Sequence, residues 1–529
     1  MTRGEVAKNI SRGAFFLGLE KVIANGSTIV YSALIARWLG PTKYGMFSLA
    51  FAIVGLATVL TGNFETYLER YAAEYQVQGR FQRLRAAHRI ALTFKLGFGL
   101  LASVALIATS GEFARHFAMP ELAMLLPLLA IFIATDGLAT TGRAMLFGLQ
   151  RFEWVSAFSL VFNVGKTILV GALWYLRHGL VSLALGLSIL TAVQAVIMSI
   201  GAFIALEQAR RGSRVPEPPA PQGEKALLPS MVGYCLPLYG ANAAFLSGQN
   251  LPKLILAKVL DATQLGYFSF AFQTLSRIVE LVYTIPTSLL PSLTQLVARE
   301  ERERLEDIFT QAFRLIQTIA CVVAFALFVF APELVRLVGS PLFEPAVPLL
   351  RVLALVPIVR TAQQPLTMLF QAMRRPGLVL LLAVLKVATE IACYLVLLRP
   401  LGAMGACWAN LGGATVSFTA AMILLSSVLP EGQRERIAAT ARSLMWLIPG
   451  ALLALLAERQ WGLAASLPVR VLLLLPAFLG IFALGLINRY DLVKIASVPL
   501  PGAVLNRVRT WLVGMADQLA RMFEPRRVP

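Results

Sequence analysis

Charge is what this sequence has least of. Of its 529 residues only 14% are Asp, Glu, Lys or Arg, against about 25% in an ordinary soluble chain. That scarcity excludes a water-solvated surface over most of the length. Histidine is scarcer still. His88, His116 and His178 stand far apart with no metal-ligand spacing, so no metal centre is expected. A Gly-rich phosphate loop of the P-loop kind is missing, which excludes an ATPase within the chain. The four cysteines, Cys235, Cys321, Cys393 and Cys407, sit inside apolar segments as small inert hydrophobes and carry no redox message. No cleavable signal peptide is expected, because the first apolar segment is too long, carries Glu20 and Lys21 in its middle and lacks a small-residue cleavage site.

What the chain has instead is apolar length. Hydrophobic residues make up 57% of it, and runs such as 95–110 and 180–206 approach or exceed the roughly 20 residues a helix needs to cross a bilayer. The expectation is an all-α polytopic membrane protein with about fourteen transmembrane helices, near 13–37, 44–68, 88–110, 121–147, 153–176, 179–206, 228–257, 265–292, 307–330, 345–371, 376–398, 402–429, 440–457 and 463–487. The formal net charge of +19 would suggest nucleic acid in a soluble protein. Here Lys and Arg gather in alternate loops, RFQRLRAAHR (80–89), ARRGSR (209–214), AREERER (298–304) and RERIAATAR (434–442) among them. This is the positive-inside pattern, which places both termini in the cytoplasm and leaves no role for nucleic acid. The Pro-rich stretch VPEPPAPQGEK (215–225) reads as a semi-rigid connector. Beyond residue 503, Val504, Leu505, Val508, Trp511, Leu512, Met515, Leu519 and Met522 recur at helical spacing beside Arg507, Arg509 and Arg521, which fits an amphipathic helix on an anionic leaflet.

One stretch is written twice. Residues 36–51 read ARWLGPTKYGMFSLAF and residues 257–272 read AKVLDATQLGYFSFAF, with 8 of 16 positions identical at an offset of 221. LFGLQRFEW (146–154) has its counterpart in LFQAMRRPG (369–377), and Lys166 answers Lys386. Landmarks in one order at a nearly constant offset mark an internal repeat. Six spans separate each landmark from its copy, and an even number returns the chain to the same side. Two parallel six-helix lobes related by an axis along the membrane normal follow, an arrangement that in transporters places substrate between the halves. The expected organisation is an N-lobe over 1–207, a linker over 208–226, a C-lobe over 227–430, two further helices over 431–487 and a basic tail over 488–529. Gly45 and Gly266 are expected to let the chain turn back into the membrane in each half.

The motif R-W-L-G-P-T-K-Y-G after the first span, the basic loop after the second and L-F-G-L-Q-R-F before the fifth resemble the polysaccharide transporters. These are the Wzx-type branch of the multidrug/oligosaccharidyl-lipid/polysaccharide flippase superfamily. The resemblance runs from residue 10 to about residue 490. It implies a flippase that moves a polyprenyl-pyrophosphate-linked oligosaccharide across a bacterial inner membrane by alternating access, for exopolysaccharide, capsule or O-antigen assembly. It also implies polysaccharide polymerase and co-polymerase proteins as partners, and a groove for the lipid tail at the last two spans. A lipid II flippase and an extruder of hydrophobic drugs are the alternatives within the superfamily. A membrane polymerase or ligase of lipid-linked sugars is the rival from another class. It would need a large outer loop, and those here are short.

A charge inside a span costs about 2.5–3.5 kcal/mol on insertion scales, so each one is a functional candidate. The repeat supplies a filter: a charge present in both halves serves the shared fold, and a charge in one half serves an asymmetric substrate. By that filter Lys166, Lys386 and Glu390 read as structural, the last two pairing at i, i+4. Lys21 and Arg277 are the first candidates for the pyrophosphate, followed by Lys253 and Arg360, since Arg offers a fork and Lys a compact point charge. Glu20, Glu65, Asp136 and Glu280 are candidates for a coupling proton or sodium ion, with a structural pair between Asp136 and Arg143 as the competing reading. Gln249 and Asn250 are candidates for sugar hydroxyls, or else glue between helices.

Overall fold

A chain in lipid must satisfy its backbone polar groups internally, and helices do so segment by segment. In the computed structural model, residues 3–213, 226–282, 289–373, 375–465 and 467–472 are described, together with residues 514 and 517; the side chains of 3–22, 237, 241, 244–245, 281–282, 290–292, 376, 443, 461–465 and 467 fall outside that description. The linker 215–225 and, but for those two residues, the amphipathic tail also lie outside it. Among the described residues there are helices and no strands. We number them α1 (Arg3–Val59), α2 (Glu65–Val77), α3 (Phe81–His116), α4 (Leu122–Gly148), α5 (Phe152–Tyr175), α6 (Leu180–Arg211), α7 (Leu227–Val259), α8 (Ala262–Val282), α9 (Leu289–Ala298), α10 (Arg302–Val329), α11 (Ala331–Val338), α12 (Val347–Leu353), α13 (Val356–Ala372), α14 (Pro376–Ser426), α15 (Gln433–Ala465) and α16 (Leu467–Leu472).

Eight of these are long and apolar enough to cross a membrane, or nine if the pair Pro341–Leu353 and Val356–Ala372, bent by 42°, forms one span. The expected fourteen are therefore not all matched by separate helices. Part of the reason is local geometry. At 1.5 Å per residue a straight helix of 51 residues would run about 76 Å, more than twice the hydrocarbon core. α14 has that length and breaks at Gly402 (φ 55°), two residues after Pro400; α1, with 57 residues, breaks at Gly40 (φ 69°), followed by Pro41. Each thus carries two expected spans in one helical run. A positive φ is open to glycine without strain, and the neighbouring proline removes a helix hydrogen bond.

The chain divides into two compact units, residues 1–270 with 337–343, and residues 271–336 with 344–529. The division falls inside α8, and α7 packs along α1 in the first unit. In that unit α4 is surrounded by α2, α3 and α6. Small residues permit the approach: a Cβ on Gly99 would meet Ala134 Cα at 3.0 Å, one on Gly142 the Met198 backbone at 2.8 Å, and one on Gly148 the Leu68 carbonyl at 2.5 Å. In the second unit α10 packs on α13 and α15, and α13 on α14.

The duplicated stretch has an unexpected place. Gly45 is helical and makes no turn. A Cβ there would lie 1.9 Å from the Ala262 carbonyl oxygen, and one on Gly266 would lie 2.0 Å from that of Pro41. Thr42 and Thr263 bond hydroxyl to hydroxyl at 2.9 Å. Thr42 and Thr263, Gly45 and Gly266, and Pro41 and Ala262 are each 221 apart, the offset of the repeat. Reciprocal contact between equivalent residues is the signature of a two-fold axis. The motif packs on its own copy within the first unit, and the turn belongs to Gly40.

Candidate functional site

Span two is broken. α1 ends at Val59 and α2 begins at Glu65. Between them Leu60, Thr61 and Gly62 donate their N–H groups back to the carbonyls of Ala57, Thr58 and Val59, and Gly62 takes φ +76°. The hydroxyls of Thr61 and Thr66 bond the carbonyls of Thr58 and Asn63, each at 2.8 Å. Such recapture is what lets irregular backbone persist at membrane depth.

Glu65 is the first residue of α2, where an acid is favoured by the helix dipole. Its carboxylate lies 2.9 Å from Lys95 Nζ of α3, and both side chains are largely buried, 16% and 6% exposed. Gly137 of α4 leaves room for the Lys95 stem at 3.5 Å. One residue before it, Asp136 stands within electrostatic reach of both Lys95 and Glu65. Arg143, on the same helix as Asp136, acts on Glu69, one turn along from Glu65. Three helices that sequence separates by 30 and 41 residues bring two carboxylates and one ammonium together. Their counterparts in the second repeat, at the offset of 221, are Pro286, Ile316 and Pro357. The charge network belongs to one half alone.

The other candidates fall as follows. Lys253 is buried on α7. Asn250 donates to the Leu246 carbonyl at 3.0 Å and packs against Gly55, where a Cβ would lie 2.8 Å from its amide nitrogen, so it serves the contact of α7 with α1. Gln249 is half-buried beside it. Lys166 sits over the rings of Phe162 (4.8 Å) and Tyr31 (5.4 Å). Glu20 and Lys21 lie on α1 with side chains outside the described set.

In the second unit Arg277 pairs with Glu280 at 3.2 Å, and its Nε is buried with no hydrogen bond among the described residues. Lys386 binds Glu390 at 2.7 Å, Asn410 donates to the same carboxylate at 3.1 Å, and Arg360 acts on it electrostatically. Lys386 thus meets a carboxylate, and its sequence counterpart Lys166 lies over aromatic rings. Outside the apolar runs, Arg210 and Arg211 bond Glu207 at the end of α6 and hold its carboxyl down to about 2. Among the described residues no three His, Cys, Asp or Glu side chains are grouped to hold a metal ion.

Two features escaped the sequence. Arg436 and Arg470, both fully buried, pair with Glu306 and Glu333 across more than 125 residues, and no local pattern marks them. The tyrosine cluster of α2 had a readable signal, Tyr67, Tyr71 and Tyr75 at a spacing of four.

The fold has solved relatives. A structure described as the inward-facing conformation of a multidrug resistance MATE family transporter of the MOP superfamily superposes with a TM-score of 0.62 at 14% identity, covering 81% of this chain and 99% of that one. The lipid II flippase MurJ, in an inward closed conformation, also gives 0.62 at 13% identity, covering 91% of this chain and 100% of its own. An outward-facing MATE transporter gives 0.54. No curated protein sequence matches. Residues 34–348, more than half of the chain, match the family described as "Polysaccharide biosynthesis protein". The chain is a multi-pass helical membrane protein with the fold of these MATE and MurJ structures, and it belongs to the polysaccharide biosynthesis protein family.

Proposed function

We propose that this protein is a flippase that carries a polyprenyl-pyrophosphate-linked oligosaccharide from the inner to the outer leaflet of a bacterial cytoplasmic membrane. The observation that carries the reading is a polysaccharide biosynthesis sequence on the fold shared with a lipid II flippase. Transport proceeds by alternating access, with the termini cytoplasmic. Arg277, with an unbonded buried Nε, and Lys21 are the proposed pyrophosphate contacts, supported by Lys253 and Arg360. Polysaccharide polymerase proteins are the proposed downstream partners.

The Glu65–Lys95–Asp136 network is the proposed coupling site. One ammonium cannot neutralise two carboxylates, and a net negative charge away from water is costly unless balanced. A proton or sodium ion supplies the balance and is released when the site meets water on the other side. Glu69, Arg143 and the thiol of Cys235 are the neighbouring groups that share its field.

Deletion of the gene in its native bacterium tests the reading. Loss of a surface polysaccharide in viable cells is the expected result. Lethality with peptidoglycan precursors stranded inside would move the assignment to lipid II, and drug sensitivity alone would refute both.

A further inference from the structure

One side-chain cluster in the first unit stands outside both the charge network and the repeat. On α2 the rings of Tyr67, Tyr71 and Tyr75 form a ladder on successive turns. Tyr71 is 4.3 Å from Tyr67 and 6.0 Å from Tyr75, the latter pair stacked at 25°. Tyr234 of α7 stands edge-on to Tyr71 at 5.4 Å and to Tyr67 at 6.0 Å. Tyr67 and Tyr75 are buried, 1% and 5% exposed, with their hydroxyls bonded at 2.7 Å, and Arg83 Nε donates to the Tyr75 hydroxyl at 3.1 Å. Tyr71, between them, is partly open, and its hydroxyl makes no hydrogen bond among the described residues. The guanidinium of exposed Arg70 lies 5.8 Å from the Tyr71 ring, and that of Arg83 lies 5.6 Å from Tyr75.

The fold does not require this chemistry. At the offset of 221 the counterparts of Tyr67, Tyr71, Tyr75 and Arg70 are Ser288, Ser292, Leu296 and Pro291. The equivalent helix, α9, packs into its own core through Leu293 and Leu296. At the counterpart of Tyr75 one half thus places Leu296 in an apolar core, where the other has a ladder of aromatic rings flanked by cations.

We propose that this cluster receives a glycosyl diphosphate at a station separate from the pyrophosphate contacts proposed above, an inference that rests on the flippase reading. The sugar lies with its C–H face on the rings of Tyr71 and Tyr234, and the diphosphate takes Arg70. The negative face of an aromatic ring attracts partly positive C–H groups. The exposed guanidinium of Arg70, beside the Tyr71 ring, can turn its planar fork to phosphate oxygens. The buried base of Tyr67 and Tyr75 fixes the upper ring, so little freedom is lost on binding. Exposed Glu74, on the next turn, repels a diphosphate placed over it but accepts sugar hydroxyls, which sets the sugar toward the C-terminal end of α2.

The test uses the full-length protein in lipid nanodiscs, titrated with citronellyl diphospho-N-acetylglucosamine, with citronellyl diphosphate lacking the sugar, and with UDP-N-acetylglucosamine. Tyr71→Ala is expected to weaken the first probe about tenfold and leave the sugar-free probe unchanged, while Tyr71→Phe stays within about threefold of wild type. Arg70→Gln, on an exposed side chain that folding does not need, is expected to weaken both diphosphates about tenfold. Preference for the citronellyl probe assigns the site to the lipid-linked sugar, and preference for the UDP sugar assigns it to a soluble donor of the same chemistry. Unchanged affinity in both Tyr71→Ala and Arg70→Gln overturns the site while leaving the flippase reading to the deletion experiment. A wild-type protein that binds no glycosyl diphosphate overturns the site outright.

Discussion

Lys95 holds the arrangement at the break in span two. Its stem lies against Gly137, its ammonium reaches Glu65 at 2.9 Å, and Asp136 shares its field. Removing one partner of a buried ion pair typically costs about 3–5 kcal/mol, because the other charge is left unpaired. Lys95→Ala is therefore expected to lower the melting temperature and abolish complementation of a deletion strain. Asp136→Asn removes the carboxylate without removing the Glu65–Lys95 pair. It is expected to fold normally and to uncouple transport in proteoliposomes from the proton or sodium gradient, whichever drives the wild type. Retained dependence on the same gradient in the Asn variant would exclude Asp136 from coupling. Sequence alone marked Glu65 and Asp136 as costly charges in spans, but not that they meet at Lys95.

At the scale of elements, the contact of the duplicated motif with itself is the most constrained feature of the first unit. The atoms that a Cβ on Gly45 or Gly266 would strike are backbone carbonyls at 1.9 and 2.0 Å, which cannot swing aside as a side-chain tip can. Gly45→Leu is expected to force α1 and α8 apart, with a cost of at least about 1–3 kcal/mol for overpacking, while Gly97→Leu, at a position with open space around it, stays near neutral. Thermal melts of the two variants check the contrast. Thr42→Cys with Thr263→Cys places two thiols where hydroxyls now bond at 2.9 Å. Under alternating access, oxidation of this pair is expected to stop transport, and reduction to restore it. Full transport by the oxidised pair would make the crossing a fixed strut. Arg37 adds a clamp, donating to the carbonyls of Gly339 (2.7 Å) and Leu337 (2.5 Å), whereas its copy Lys258 is exposed.

On the scale of the whole molecule, the second unit binds its late helix at both ends. Near the start of α15, Arg436 pairs with Glu306, whose carboxylate also accepts the Gly432 N–H at 2.6 Å, and Arg314 pairs with Glu435 at 3.1 Å. Near its end, Arg351 pairs with Glu458, and Arg470 of α16 with Glu333. Between those ends Phe325 packs on Trp446 and closes over Gly450. That face is filled, so a lipid chain following α15 has only the outer stripe of Met445, Ile448, Leu452 and Leu456, all more than half exposed. Glu306→Ala leaves the fully buried Arg436 unpaired and is expected to cost about 3–5 kcal/mol, read as a lower melting temperature. Arg304→Ala removes an exposed side chain 3.2 Å from half-buried Glu301 and is expected to change little.

Fold class, membrane residence and the repeat were legible in the sequence, because hydropathy over some twenty residues and a constant offset are one-dimensional signals. Gly40 and Gly402 fit the same account, since each break falls at or near an expected span end. Lys386 with Glu390, one helical turn apart, was also legible, but the pairing of distant groups was not. Glu65 with Lys95, Arg436 with Glu306, and Thr42 with Thr263 are separated by 30, 130 and 221 residues, and no local spacing encodes a partner that far away. That this chain crosses a membrane in helices and carries its plan twice follows from apolar length and self-similarity, both written along the chain. Where the two copies touch, which distant charges neutralise one another and where the tyrosines stack are settled in three dimensions. Those contacts depend on helix rotation and depth, which packing sets.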